Sequence, residues 1–263
     1  MPGLKMASHS DKKTSNGITT YKHMKFLLIR YTKILFTVLK LHRIAVLPNQ
    51  LYLNLVYMRL LSRWINDHKR TLTNDFPSKW DYNKRFDLYK LVLDRENLRN
   101  VAIDYFEFGV ADGHSFKWFL QNNRGEDSRF HGFDTFTGLP EDFGVYKKGT
   151  FNTNNQIPDI KDARGHFHQG LFQKTLPDFL NNYSNANRKV ILLDADLYSA
   201  TLFVLTSLAP YLNENDLVLF DEFSVPTQEF KAFYEFRQAY PHIQLHPIAA
   251  SNNFYFTAFK VVK

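Results

Sequence analysis

The sequence predicts an α/β fold with a mostly parallel, seven-stranded sheet that carries helices on both faces. After Arg85, short apolar segments alternate with longer amphipathic segments, which is the pattern of strands connected by crossover helices. Several apolar segments end in glycines or acidic residues, as strands do where they lead into a ligand site. With 263 residues, of which 44% are hydrophobic, the chain is long enough for one large core and an appendage.

The strands predicted from this alternation are short and apolar. We place them at residues 104–110, 130–134, 165–169, 189–194 and 217–222, with two late strands near 243–249 and 254–262. Helices are expected near residues 115–122, 175–183, 201–212 and 228–240. The sequence shows no internal repeat, so residues 85–263 are expected to form one domain.

The first part of the chain differs from the rest in charge. Residues 1–70 hold 13 Lys and Arg against 2 Asp and Glu, whereas residues 71–263 hold 20 against 24. Residues 1–24 are polar and lack periodicity, so we expect a disordered or expression-derived tail there. Residues 25–84 are expected to form a basic helical cap, whose first helix carries a stripe made of Arg30, Lys33, Lys40 and Arg43.

This cap predicts an interaction surface and not a membrane span. Its longest uninterrupted apolar run, residues 34–39, is far below the ~20 residues that a spanning helix needs. Confinement of the positive charge to the N-terminal part disfavours nucleic acid as a partner and favours a homo-oligomer contact or peripheral membrane contact. The chain has no Cys, which excludes disulfides and thiolate chemistry and favours a cytoplasmic, or membrane-peripheral, protein.

Two turns that follow predicted strands have the residues of a nucleotide site. The segment 107–115, EFGVADGHS, contains Gly109 and Gly113 and opens a helix, so its backbone can approach a ligand at the helix N-terminus. Asp134 ends the second strand, where a carboxylate can accept both hydroxyls of a ribose. Each feature also has a structural explanation, a tight turn for the glycines and a helix or turn cap for Asp134.

Two later strands each end in a pair of acids. Asp194 and Asp196 follow the fourth strand, and Asp221 and Glu222 follow the fifth. Crowded carboxylates resist ionisation unless a cation neutralises them, so this edge favours a hard divalent ion with oxygen ligands. His131, His166 and His168 lie on or near predicted strands without metal-ligand spacing, and we expect them in the core or at the surface.

Taken in order, these segments resemble the macrocin O-methyltransferase family of sugar-modifying enzymes. The resemblance covers residues 105–236, and its most specific pieces are FDTFTGLP at 133–140 and DADLYSAT at 194–201. It implies a Rossmann-like class I methyltransferase fold, the cofactor S-adenosyl-L-methionine (SAM), and Mg²⁺ or another hard divalent cation. Three residues of the glycine turn depart from the family pattern: Ala111, Asp112 and His114.

The resemblance also implies roles for individual residues. The implied cofactor contacts are Glu107, Gly109, Val110, Gly113, Ser115, Asp134, Thr135 and Asp194. The implied metal ligands are Asp194, Asp221 and Glu222, where Glu222 replaces a more usual aspartate, and the implied general base is Asp196. The expected activity is methyl transfer to a hydroxyl of a small-molecule or glycan acceptor, with the metal assisting deprotonation.

Two other functions remain open from the sequence. A strand ending in Asp194-Ala195-Asp196 also matches the metal and nucleotide-sugar signature of glycosyltransferases. A non-catalytic scaffold that keeps a nucleoside pocket is the second alternative. The glycine turn with its acidic second strand favours the methyltransferase over the first, and the four acids argue against the second. The identity of the acceptor is not encoded in these motifs, because specificity lies in loops and caps.

Overall fold

The computed structural model describes residues 11–43, 49–75, 77 and 79–263. The chain divides into two compact units, residues 1–53 and 54–263. The predicted tail over residues 1–24 falls partly outside the described residues. Its described part, from Asp11 onward, is helical and belongs to the first helix.

Two helices account for most of the described N-terminal region. Helix α1 spans Asp11–Val38 and is followed by a 3₁₀ turn at Leu41–Arg43. Helix α2 spans Asn49–His68 and lies within the region predicted to be a helical cap. None of the helices in the described residues is long and apolar enough to cross a bilayer. The division of the chain at residues 84 and 85 stays a prediction.

The sheet of the second unit has seven strands, and the predicted architecture is confirmed. The strands are β1 Ile103–Phe108, β2 Arg129–Asp134, β3 Gly165–Gln169, β4 Arg188–Leu193, β5 Leu217–Phe220, β6 Gln244–Ser251 and β7 Phe256–Val262. Their order across the sheet is β3-β2-β1-β4-β5-β7-β6. The first five strands pair in parallel, and β7 runs antiparallel to both β5 and β6.

The remaining helices connect these strands. They are α3 Lys84–Arg95, α4 His114–Asn122, α5 Phe172–Leu180, α6 Tyr198–Leu208 and α7 Glu229–Ala239. Helix α3 was not among the helices predicted from the sequence, the first of which after Arg85 was expected near residues 115–122. Its buried residues recur every three or four positions, which is helical spacing: Arg85, Leu88, Tyr89, Val92 and Leu93.

Both faces of the sheet are buried, as the near-continuous apolar strands predict. In β4, Val190 and Leu192 pack into the cluster that includes helices α3 and α4, whereas Ile191 and Leu193 pack into the cluster with α5, α6 and α7. The strand order reverses between β1 and β4, which are hydrogen-bonded neighbours. In open α/β sheets such a reversal opens a crevice at the carboxyl ends of the strands, where ligands bind.

Candidate active site

The turn after β1 lies directly against the end of β4. Gly109 has φ +94°, and a Cβ added there would lie 1.8 Å from the carbonyl oxygen of Asp194. The Gly109 N–H donates to the Phe133 carbonyl at 2.9 Å, and the Asp194 N–H donates to the Phe108 carbonyl at 2.9 Å. No other residue fits at position 109, because a side chain would collide with the neighbouring backbone. Gly109 therefore allows the turn after β1 to lie directly against the end of β4.

Asp134 is bound to that same turn. Its Oδ2 accepts the N–H groups of Val110 and Ala111 at 2.7 and 2.8 Å, and its Oδ1 accepts the Phe136 N–H at 2.7 Å. The carboxylate thus pins a turn in which Ala111 has the left-handed φ of +45°. Asp134 thus acts as a turn cap, which is one of the two explanations that the sequence allows. Its carboxylate also lies half-buried at the sheet edge, where the second explanation, a ribose acceptor, would place it. Its contact with a ribose stays a prediction.

The other predicted cofactor residues surround this turn. Glu107 is buried and accepts the Tyr105 hydroxyl, and burial raises the pKa of Glu107 well above its usual range. Gly113 has φ +73° and precedes α4, and a Cβ there would lie 2.9 Å from Pro158. The Thr135 hydroxyl donates to the Gly138 carbonyl at 3.0 Å, and Val110 is buried. These residues lie in or next to the turns that follow β1 and β2, and their contact with a cofactor stays a prediction.

Asp194 and Asp221 converge on a residue that the sequence motifs did not include. Arg85 of α3 donates one N–H to Asp194 at 3.4 Å and another to Asp221. Its first nitrogen also donates to Ser115 at 3.2 Å, and the Tyr89 hydroxyl donates to Asp221 at 3.3 Å. One guanidinium therefore connects the helix α4 side of the site with both acidic strand ends.

Arg85 is held by burial and by ring stacking. Its side chain is only 4% exposed, and its guanidinium carbon lies 3.7 Å from the centre of the Tyr82 ring. Burial alone would lower the pKa of Arg85, but the negative charges of Asp221 and Asp194 outweigh it and raise that pKa. Arg85 therefore stays cationic. Burial raises the pKa of Asp221, with the nearby charge of Asp194 adding to the shift.

Asp196 occupies a strained position beside this cluster. It has φ +57°, and the Leu197 N–H donates to the Ala195 carbonyl at 2.5 Å to close a three-residue turn around it. A non-glycine residue in the left-handed region is uncommon, and such residues concentrate at functional sites. Burial raises the pKa of Asp196 to about 8, with further contributions from the charges of Asp194 and Glu222. A carboxyl group with this pKa can exchange a proton near neutral pH.

Glu222 has its own set of contacts beside Asp194 and Asp221, and its role as a metal ligand stays a prediction. Its Oε1 accepts the Tyr255 hydroxyl at 2.5 Å, while its Oε2 is buried and finds no hydrogen-bond partner among the described residues. Its backbone N–H donates to the carboxyl group of Glu229 at 2.9 Å. Burial raises the pKa of Glu222 to about 7. Within the described ranges, no three His, Asp or Glu side chains are grouped as a metal site.

The three histidines pack at the β2–β3 edge of the sheet. His131 stacks on Phe106 with ring centres 5.7 Å apart, and its Nδ1 lies 3.2 Å from the Nε2 of His168. Burial lowers the pKa of His131 to about 3, so its ring is neutral. The ring of His166 stacks on that of His131. The sequence-based expectation of core or surface histidines agrees with this packing.

The structure thus gathers Glu107, Asp134, Asp194, Asp196 and Asp221 at one edge of the sheet. The residues that sequence reasoning missed are Arg85, Tyr89 and Glu229, each of which contacts a predicted site residue. A signal for the first two was available, because a lone Arg on the apolar face of a helix must find a carboxylate when it is buried.

Comparison with known proteins now adds to this geometry. Residues 106–223 match a protein family described as a methyltransferase domain. This segment is therefore similar to methyltransferase domains. It contains the glycine turn, Asp134 and both acidic strand ends, so the predicted methyltransferase is confirmed and is favoured over the glycosyltransferase alternative. No curated protein sequence matches the chain.

Comparison with solved structures supports the fold through CalS11. CalS11, described as a calicheamicin methyltransferase, superposes with a TM-score of 0.53 at 20% identity, covering 81% of this chain and 93% of CalS11. The O-methyltransferase NovP has a TM-score of 0.48 at 19% identity, covering 69% of this chain and 79% of NovP. The predicted class I methyltransferase fold is confirmed by the likeness to CalS11.

Proposed function

We propose that the chain is a SAM-dependent O-methyltransferase that modifies a hydroxyl of a sugar or glycosylated compound, as the resemblance to the macrocin O-methyltransferase family implies. One observation carries the proposal. Asp196, a half-buried carboxyl group with a pKa near 8, lies at the same sheet edge as the glycine turn of a methyltransferase domain. A proton acceptor is therefore available beside the crevice where the methyl donor would bind.

The reaction needs little beyond alignment and proton removal. SAM, when bound, would supply a methyl group on a positively charged sulfur that leaves as the neutral thioether of S-adenosylhomocysteine, so the chain's own residues need to align the acceptor hydroxyl and accept its proton. The hydroxyl proton passes to Asp196, whose strained turn fixes the direction of its carboxylate. Release of this proton to solvent restores the base.

The cofactor would lie across the two turns at the β1–β2 edge. Gly109 and Gly113 leave the backbone open to the methionine part, while Asp134 would contact the ribose hydroxyls. In the ligand-free geometry Asp134 already orders the turn through Val110 and Ala111. We therefore expect Asp134 to shape the pocket even before it contacts the ribose.

A divalent cation is the finer part of this proposal. Asp194, Asp221 and Glu222 offer only hard oxygen donors, and the buried, unpaired Oε2 of Glu222 fits a role as ligand. Mg²⁺ held there would stabilise the developing alkoxide of the acceptor. Arg85 already supplies one positive charge between Asp194 and Asp221, so these two carboxylates can share the site with a metal only if the guanidinium changes its contacts.

The acceptor side would begin at the residues after Asp196. The Tyr198 hydroxyl donates to Glu235 at 2.6 Å, and the Lys231 ammonium lies 3.3 Å from the centre of the Tyr198 ring. Ser199 donates to Glu141 at 3.1 Å. Groups of this kind bind hydroxyl-rich ligands, which supports a sugar acceptor. CalS11 is described as a TDP-rhamnose 3′-O-methyltransferase, and a nucleotide sugar is accordingly the first acceptor class to test.

Calorimetry with S-adenosylhomocysteine tests the cofactor site. We expect saturable binding by the unaltered protein and loss of binding in Asp134→Ala, because the turn and the ribose lose their acceptor. Asp178→Ala, a matched change at an exposed position of α5, should bind normally. Absence of binding by the unaltered protein at millimolar ligand would contradict the proposal.

Mass spectrometry then tests the reaction. Nucleotide sugars and free glycosides are incubated with SAM and Mg²⁺, and one added methyl group is sought on each acceptor. Binding of S-adenosylhomocysteine without methylation of any acceptor would favour the scaffold alternative over the enzyme.

A further inference from the structure

Helix α1 presents a wide apolar face to its surroundings. Met24, Leu28, Tyr31, Leu35 and Val38 recur every three or four residues, so they lie along one side of the helix. Their side chains are between 54% and 70% exposed. Exposed apolar residues at single positions are common, but a continuous helical face of this length marks a contact surface.

The rest of this region is strongly cationic. From Lys12 to Arg43 the chain contains eight Lys and Arg and no Asp or Glu. Lys22, Arg30 and Lys33 fall on the side of α1 away from the apolar face when 100° is taken for each residue. A helix with an apolar face, a cationic face and no acids is complementary to an anionic lipid surface, which has an apolar interior and negative headgroups.

The polar side chains within α1 are also suited to an apolar setting. The Thr32 hydroxyl donates to the Leu28 carbonyl at 2.7 Å, and the Thr37 hydroxyl donates to the Lys33 carbonyl at 2.9 Å. Because these hydroxyls are satisfied within the helix, their transfer out of water leaves no unpaired donor. The helix is nonetheless too polar to cross a bilayer, as Arg30 and Lys33 interrupt its middle.

We propose that α1 lies flat on an anionic lipid surface, with its apolar face among the acyl chains and its cations at the headgroups. A second copy of α1 fits this surface less well. Two such helices would bring the same cations together and offer no acid to pair with them between residues 12 and 43. The proposal is independent of the methyl-transfer reaction and concerns where the enzyme acts.

Vesicle sedimentation with the full chain tests the proposal. We expect binding to vesicles of phosphatidylcholine mixed with phosphatidylserine to be at least about tenfold tighter than to phosphatidylcholine alone, since each cation near such a surface contributes roughly fivefold. Salt at about 0.5 M should weaken the binding. Equal binding to both vesicle types, or none to either, would overturn the proposal without any need for a variant.

Two variants separate charge from apolar contact. Replacement of Arg30, Lys33, Lys40 and Arg43 by Gln should reduce binding to the level of neutral vesicles. A control removes four exposed cations of the second unit, Lys90, Arg124, Lys148 and Lys174, and should bind nearly as well as the unaltered chain. Equal loss in the control would show that net charge alone drives binding and would refute a site on α1.

Light scattering tests the alternative that a second copy of the chain covers the apolar face of α1. Replacement of Met24, Leu28 and Leu35 by Gln should abolish vesicle binding and leave the molar mass in solution unchanged. A dimer of the unaltered chain that dissociates in this variant would show that the apolar face is a subunit interface, and would overturn the proposal.

Discussion

The two halves of the active-site edge satisfy their carboxylates in different ways. At the β1–β2 half, Asp134 accepts three backbone N–H groups, so its negative charge is met by peptide dipoles. At the β4–β5 half, Asp194 and Asp221 share the single guanidinium of Arg85. The second half holds more buried acid than one cation neutralises, and the pKa values of Asp196 and Glu222 rise to about 8 and about 7.

The two kinds of carboxylate environment suit two different tasks, ligand binding and proton transfer. A carboxylate held by three backbone N–H groups is fixed in orientation, which suits recognition of neutral hydroxyls. A crowded group of acids around one cation holds its protons near neutral pH and can release or accept one, which suits proton transfer. Under the proposed function, the β1–β2 half holds the cofactor and the β4–β5 half moves the proton.

The largest effect is expected from Asp196→Asn. Turnover should fall by about 10²- to 10⁴-fold, the usual contribution of a general base, because an amide cannot take the hydroxyl proton. Binding of S-adenosylhomocysteine should stay near normal, since it depends on the β1–β2 half. The matched control is Asp178→Asn, an exposed acid of α5 outside the proposed site. Equal losses of turnover in both variants would refute a special role for Asp196.

A smaller effect, on stability, is expected from Arg85→Met. The change leaves Asp194 and Asp221 buried without their cation, which should cost about 3–5 kcal/mol of unfolding free energy in urea titrations. Arg99→Met removes a more exposed pair with Asp94 and should cost about 1 kcal/mol or less. Millimolar Mg²⁺ should raise the melting temperature of Arg85→Met more than that of the unaltered protein. Equal costs for the two variants would contradict a central role of Arg85.

The smallest effect is the pH dependence of turnover. Only the deprotonated Asp196 can act as base, and its raised pKa of about 8 means that this form increases with pH. Turnover should therefore rise about tenfold per unit below about pH 8 and level off above it. The residual activity of Asp196→Asn should lack this rise. A flat profile of the unaltered enzyme from about pH 6 to about pH 9 would show that Asp196 is not the titrating group.

The sequence by itself determined the sheet and the two sets of motif residues at its edge. The spacing of apolar residues and the composition of a segment are local properties of the sequence. Strand β3 was therefore predicted with its observed limits, and the other strands were predicted to within a few residues. The turns at Gly109 and Asp134, and the acids after β4 and β5, could be predicted to meet because parallel strands end at one edge. Helix α3 was missed, because the alternation of strands and helices after Arg85 was expected to begin with the strand at residue 104.

Only the tertiary structure decided how the acids are neutralised. Arg85 lies far from Asp194 and Asp221 in the chain, and no motif connects them, so their contact depends on the packing of α3 against the end of the sheet. The same packing decides that Glu222 bonds to Tyr255 and not to the other acids. The number of charged residues at this edge can be read from the sequence. The protonation of each acid depends on distances and burial, which exist only once the chain is folded.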